Sequence, residues 1–202
     1  MDTQPSFSPE ASTGADGPAV VPLVQPGPAV AALGEAFARE PELIRALLEG
    51  WEAQPVECRN TILAAARVAV ATCPTHADLL YRAAEAAVAA GDYPSADHTL
   101  QQALTINPDY KDALILAARV ALARQEPQRA VLLLQTAVAR GADYPDVHML
   151  LGEAWSRLGD GERARRAYER ACQLNPALRE ARAALAKLNG TPACGGGHEL
   201  PA

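Results

Sequence analysis

PDVHMLLGEAWSRLGDGERARRAYERACQLNPAL, residues 145–178, is the stretch on which the fold turns. Its apolar spacing predicts two helices and a turn. Val147, Leu151, Gly152 and Trp155 fall on one face of the first helix. Ala164, Tyr168, Ala171 and Leu174 recur at three- and four-residue spacing in the second. Gly159-Asp160-Gly161 interrupts the pattern between them, and Asn175-Pro176 ends it. One such unit cannot bury its apolar face alone, so the unit has to recur if it is to fold.

It recurs without a gap. Steps of 34 residues toward the N-terminus return Pro176, Ala142, Pro108 and Pro74 at the end of the unit. The same step returns Ala171, Ala137, Ala103 and Ala69, and Ala164, Ala130, Ala96 and Ile62, in the second helix. In the first helix it returns Gly152, Ala118, Ala84 and Gly50. Small residues suit these columns because helices that approach closely leave no room for larger ones. The column Tyr168, Leu134, Leu100 and Ala66 supplies the larger knobs, except in the earliest unit.

The positions of Leu151-Gly152, Trp155, Ala164, Tyr168, Ala171 and Pro176 resemble the tetratricopeptide repeat, a helix-turn-helix unit of about 34 residues. The resemblance implies an all-α fold: an α-solenoid of antiparallel helix pairs wound into a right-handed superhelix. Repeats are expected at 77–110, 111–144 and 145–178, with a degenerate one at 43–76 that has Glu49 where a Leu is usual. A helix over 179–189, carrying Ala181, Ala184, Leu185 and Leu188, is expected to cap the array.

Ahead of the repeats, 28–76 predicts three helical segments. One runs from Pro28 to about Glu40. A second starts at Pro41 with Leu43, Ile44, Leu47, Leu48 and Trp51, and a third at Pro55 with Ile62, Ala66, Ala69 and Val70. The second and third make the degenerate repeat. Residues 1–27, punctuated by Pro5, Pro9, Pro18, Pro22 and Pro26, predict a disordered segment too poor in apolar surface to offset chain entropy. Its run Val20-Val21-Pro22-Leu23-Val24 has the composition to dock a partner or to fold back on the array. Residues 190–202, rich in glycine, predict a flexible tail.

Aromatics make up 4% of the chain against 49% hydrophobic residues, so the core is built from Ala, Leu and Val and suits closely spaced helices better than a β-sandwich. The net charge of −6 argues against nucleic acid, which requires a basic footprint. No apolar run is long enough to span a bilayer, and no basic residue precedes Arg39 to form a signal n-region. Four cysteines, 58, 73, 172 and 194, lie far apart, which suits a reducing, cytoplasmic location.

Placed on the family pattern, the first helix of each pair lines a concave face, where ligands of this family usually bind. The floor would comprise Leu47, Tyr81, Ile115 and Met149. An acidic edge would comprise Asp78, Asp112 and Asp146, and a mixed edge Trp51, Glu85, Arg119 and Glu153. These acidic-edge residues also lie in first helical turns, where a carboxylate stabilises the helix dipole. The expected partner is a protein: an extended peptide or amphipathic helix with apolar anchors and basic flanks. A chaperone C-terminal carboxylate fits poorly, because Tyr81, Glu85, Leu116, Asp146 and Leu150 stand where basic and amide residues would hold it. A small acidic chaperone for secretion or complex assembly is the alternative role, and homo-oligomerisation through the apolar floor or the final helix is compatible with either.

Catalytic and cofactor patterns are weak. Gly159-Asp160-Gly161-Glu162-Arg163-Ala164 spells a dinucleotide fingerprint but follows a helix rather than a strand. Cys73-Pro74-Thr75-His76 is half a metal motif without its second half, and Cys194 with His198 falls short of four ligands. His148 has no nucleophile at a catalytic spacing. The sequence therefore predicts a non-enzymatic scaffold with no cofactor or metal.

Overall fold

The computed structural model describes residues 26–190. The predicted disordered segment and tail lie outside them, apart from Pro26, Gly27 and Gly190. The described chain is all-α. α1 spans Pro28–Arg39 and α2 Glu42–Leu48; a 3-10 turn, Trp51–Ala53, leads to α3 at Val56–Thr72. Three helix pairs follow: α4 Ala77–Ala89 with α5 Tyr93–Ile106, α6 Lys111–Ala123 with α7 Pro127–Ala139, and α8 Pro145–Arg157 with α9 Gly161–Leu174. α10, Arg179–Gly190, packs on α9 and closes the α-solenoid, burying Ala181 against the α9 core.

Each pair is punctuated by the same local chemistry. Gly91, Gln125 and Gly159 follow the first helix with positive φ of 77°, 62° and 79°. At each turn the next amide reaches back to the helix: Asp92 N–H to Ala87 O at 2.9 Å, Glu126 N–H to Ala121 O at 2.8 Å, Asp160 N–H to Trp155 O at 3.0 Å. This pattern satisfies helix-end carbonyls that have no intrahelical donor. Asp92 and Asp160 then cap the following helix, accepting from the amides of Ser95 and Arg163. Pro127 and Pro145 occupy first helical positions, where no amide donor is needed.

The small-residue columns have a steric cause. A Cβ on Gly152 would stand 2.5 Å from the Tyr168 ring, so the largest knob of its column faces the smallest partner. Leu100 and Leu134 fill the equivalent place opposite Ala84 and Ala118, and all four are fully buried. Ala96, Ala130 and Ala164 are likewise fully buried between helices. Across repeats, Arg157 donates to the Leu122 carbonyl at 2.6 Å, and Asp143 receives both His148 and Arg170.

The N-terminal unit differs from expectation. α2 was expected to pair with α3 as a repeat over 43–76. Instead α3 packs against α1, where Gly34 would bring a Cβ within 2.8 Å of Val68 and 3.0 Å of the Ala65 carbonyl. Gly50, placed by its column at a close helix contact, sits in a left-handed turn with φ 72° and open space around it. That turn ends α2 after seven residues. α2 lies between α1 and α3 in the chain and packs on α4, with Ile44 fully buried and Glu42 bonded to Arg82 at 2.7 Å.

Candidate functional site

The first helices of the repeats present six of the expected groove residues to one open cavity of about 240 Å³. α4 contributes Tyr81 and Glu85, α6 contributes Asp112, Ile115 and Arg119, and the start of α8 contributes Asp146. Leu116 and Tyr144 complete the wall. Positions 34 residues apart in successive first helices thus face a common space across the two boundaries between these three repeats.

The two ends of this cavity differ in how their polar groups are satisfied. At the α4 end Arg82 bonds Glu85 at 2.8 Å and Glu42 at 2.7 Å, and its guanidinium lies 5.2 Å from the Tyr81 ring centre. Burial, together with the neighbouring Glu85 charge, pushes the Tyr81 hydroxyl above the ordinary tyrosine range, so it stays neutral. The Tyr81 ring packs at 5.2 Å on Tyr110, whose hydroxyl donates to Asp78 at 2.8 Å. Asp78 is therefore occupied within the protein. At the α6–α8 end, by contrast, Asp112, Asp146 and Arg119 are exposed and have no salt-bridge or side-chain hydrogen-bond partner among the described residues. Arg119 is the single basic residue on the cavity wall among the described residues.

The remaining expected residues lie elsewhere. Trp51 is 7% exposed and sits in the core of α1, α2 and α3, held there by the turn at Gly50, so it does not line the groove. Leu47 packs on the same core and borders a separate cavity with Leu33, Cys58 and Ile62. Met149 packs against the Tyr168 and Ala181 cluster, between the last repeat and α10. Glu153 is paired with Arg157 at 2.6 Å. His148 is bonded to Asp143, whose carboxyl is held below its usual range by hydrogen bonds from Arg170 and then His148. Among the described residues no three His, Cys, Asp or Glu side chains are grouped to hold a metal ion, and no helix is long and apolar enough to cross a membrane.

Tyr144, 45% exposed, is the groove residue the sequence reading missed. It occupies the position just before α8, outside every helix, and helical spacing does not register it. The signal was the 34-residue step: Tyr144 is the equivalent of Tyr110.

Comparison with known proteins agrees with this architecture. Family models described as tetratricopeptide repeat match residues 87–154 and 145–178. No curated protein sequence matches. Among solved structures, MamA (residues 41 to its end) from Desulfovibrio magneticus RS-1 is similar with TM-score 0.66 and 21% identity, covering 79% of this chain and 84% of that one. TTC0263, a thermophilic repeat protein of Thermus thermophilus, is similar with TM-score 0.58 and 21% identity, covering 79% and 88%. The first repeat domain of Spaghetti (RPAP3), bound to the HSP90 peptide SRMEEVD, is similar with TM-score 0.55 and 23% identity, covering 56% and 90%. Helix pairs, register and family models converge: over residues 87–178 this chain is built of tetratricopeptide repeats.

Proposed function

We propose that the protein is a non-enzymatic interaction scaffold that holds a peptide or amphipathic helix with basic flanks along its concave face. The observation that carries this reading is the cavity between α4, α6 and α8. It joins an apolar and aromatic wall (Tyr81, Ile115, Tyr144) to two carboxylates, Asp112 and Asp146, that have no ion-pair partner among the described residues. Apolar anchors give area and unpaired carboxylates select a cation, which is the division of labour expected of peptide recognition. An acidic segment such as the HSP90 peptide on Spaghetti would meet like charge here, so the partner class differs from that neighbour's.

Asp112 and Asp146 are exposed, so their replacement is expected to leave the fold intact. Asp112→Lys with Asp146→Lys is expected to abolish capture of the basic members of an immobilised helical-peptide array, at unchanged circular dichroism. Equal capture by the double variant would place the binding surface elsewhere. The pair Tyr81→Ala and Met149→Ala is a weaker test, because Met149 also packs against α10.

A further inference from the structure

A second concavity lies on the opposite face of the array. α3 and α5 diverge over α4 and leave an open groove of about 520 Å³. Leu63, Ala66 and Val70 form one wall, Pro94 and Thr99 the other, and Ala83 and Ala87 the floor. At 100° per residue, Ala83 and Ala87 stand on the side of α4 away from Tyr81 and Glu85, so this groove is independent of the concave cavity. The α3 wall and the floor are apolar apart from Arg67, which is paired with Asp92 at 3.0 Å, while the α5 wall also carries Ser95, His98 and Gln102.

We propose that this groove is the docking slot of the chain's own residues Val20–Val24. Three observations select that occupant. The described chain starts at Pro26 and enters α1 at Pro28, and α1 is packed on α3, one wall of the groove. Two to six residues separate Val20–Val24 from Pro26, a reach of roughly 7–21 Å at ~3.5 Å per residue. All of the run but Val24 can thereby pass a helix about 10 Å across. The run VVPLV carries no charge and is framed by Pro18, Pro22 and Pro26, which oppose a helix and favour an extended strip that fits between two helices. The tether supplies an effective concentration of the order of millimolar, so a contact too weak to recruit a separate molecule suffices within one chain. The segment would act as a strap that secures α3 to α5 where the repeats themselves do not.

A photo-reactive residue at position 23 of the full chain tests this. The expected products are cross-links within one chain to peptides containing 63–71 or 94–102, at a yield independent of protein concentration. Cross-links to other helices, cross-links between chains (a second copy as occupant), or no cross-links would each overturn the proposal. Hydrogen exchange supplies the second reading. Val21→Asp with Leu23→Asp is expected to speed exchange of the α3 and α5 amides several-fold while leaving α8 and α9 unchanged; identical exchange in α3 and α5 would equally overturn it.

Discussion

The junctions on either side of α5 are built on the same repeat register and are held in opposite ways. Between α5 and α7, Asp97 is 6% exposed and takes a two-point contact from Arg129, at 2.6 and 2.9 Å, and a third from Arg124 at 2.7 Å. Glu126 bonds both arginines from the turn between α6 and α7. Thirty-four residues earlier the corresponding positions are Leu63, Ser95, Ala90 and Asp92. There, among the described residues, one exposed ion pair joins α3 to the turn before α5, and the apolar groove stays open beside it. The repeat fixes where helices run, whereas a few side chains at its non-consensus positions decide whether neighbouring repeats are locked or merely adjacent.

Breaking the lock should produce the largest effect. Burial works to raise the Asp97 carboxyl, but the hydrogen bonds and charges of Arg129 and the charge of Arg124 outweigh it, so the net shift is downward. Asp97→Ala leaves two arginines that are each about a third exposed and keep Glu126. The cost is therefore expected near ~2 kcal/mol, below the roughly 3–5 kcal/mol of a fully buried pair. The pH dependence follows from the sign of the shift. A carboxyl depressed in the folded state stabilises fully above its unfolded value of about 3.9 and loses that stabilisation as pH falls through the lower folded value. Urea unfolding should show a constant gap between wild type and variant from about pH 7 to about pH 5, narrowing below about pH 4. A gap that persisted undiminished into strong acid would remove the ion network as its source.

The contrast also separates what the chain's spelling disclosed from what it hid. α4, α6 and α8 begin at residues 77, 111 and 145, the positions dictated by the columns of alanine and glycine, because close helix packing tolerates few alternatives there. Part of the groove cavity was legible in the same way: Tyr81 shares a column with Ile115, and Asp112 with Asp146, and columns become rows on a face. Trp51 failed because Gly50 occupies a small-residue column for a different reason, a left-handed turn, and letter identity does not distinguish the two. The Asp97 network failed because its members come from α5, the end of α6 and α7, a three-element meeting that no periodicity encodes.

A smaller effect is expected at the turn inside the lock. Gln125 holds φ 62° where Gly91 and Gly159 stand in the neighbouring repeats. A side chain in this left-handed conformation costs about 1 kcal/mol relative to glycine. Gln125→Gly should therefore raise stability by about 0.5–1 kcal/mol in urea unfolding, net of the extra unfolded-chain entropy. A loss of stability would show that the Gln125 side chain, rather than the turn geometry, supports Arg124 and Glu126.

The smallest effect, and the sharpest use of the comparison, comes from moving the lock one repeat toward the N-terminus. Leu63→Asp with Ser95→Arg recreates the Asp97 and Arg129 pair between α3 and α5, with Asp92 already in the place of Glu126. Either change alone should destabilise slightly, since Leu63 lends apolar surface to its neighbours and Arg without Asp adds only side-chain entropy. Together they should show a favourable coupling of about 0.3–0.5 kcal/mol in a double-mutant cycle, within the range of about 0.2–1 kcal/mol for exposed pairs. Zero coupling would mean that α3 and α5 are spaced differently from α5 and α7, so that equal register does not carry equal geometry. Coupling accompanied by loss of the cross-links from position 23 would show that the locked and the strapped junction are two solutions to one problem: holding a thin, alanine-built solenoid together at a boundary its consensus residues leave open.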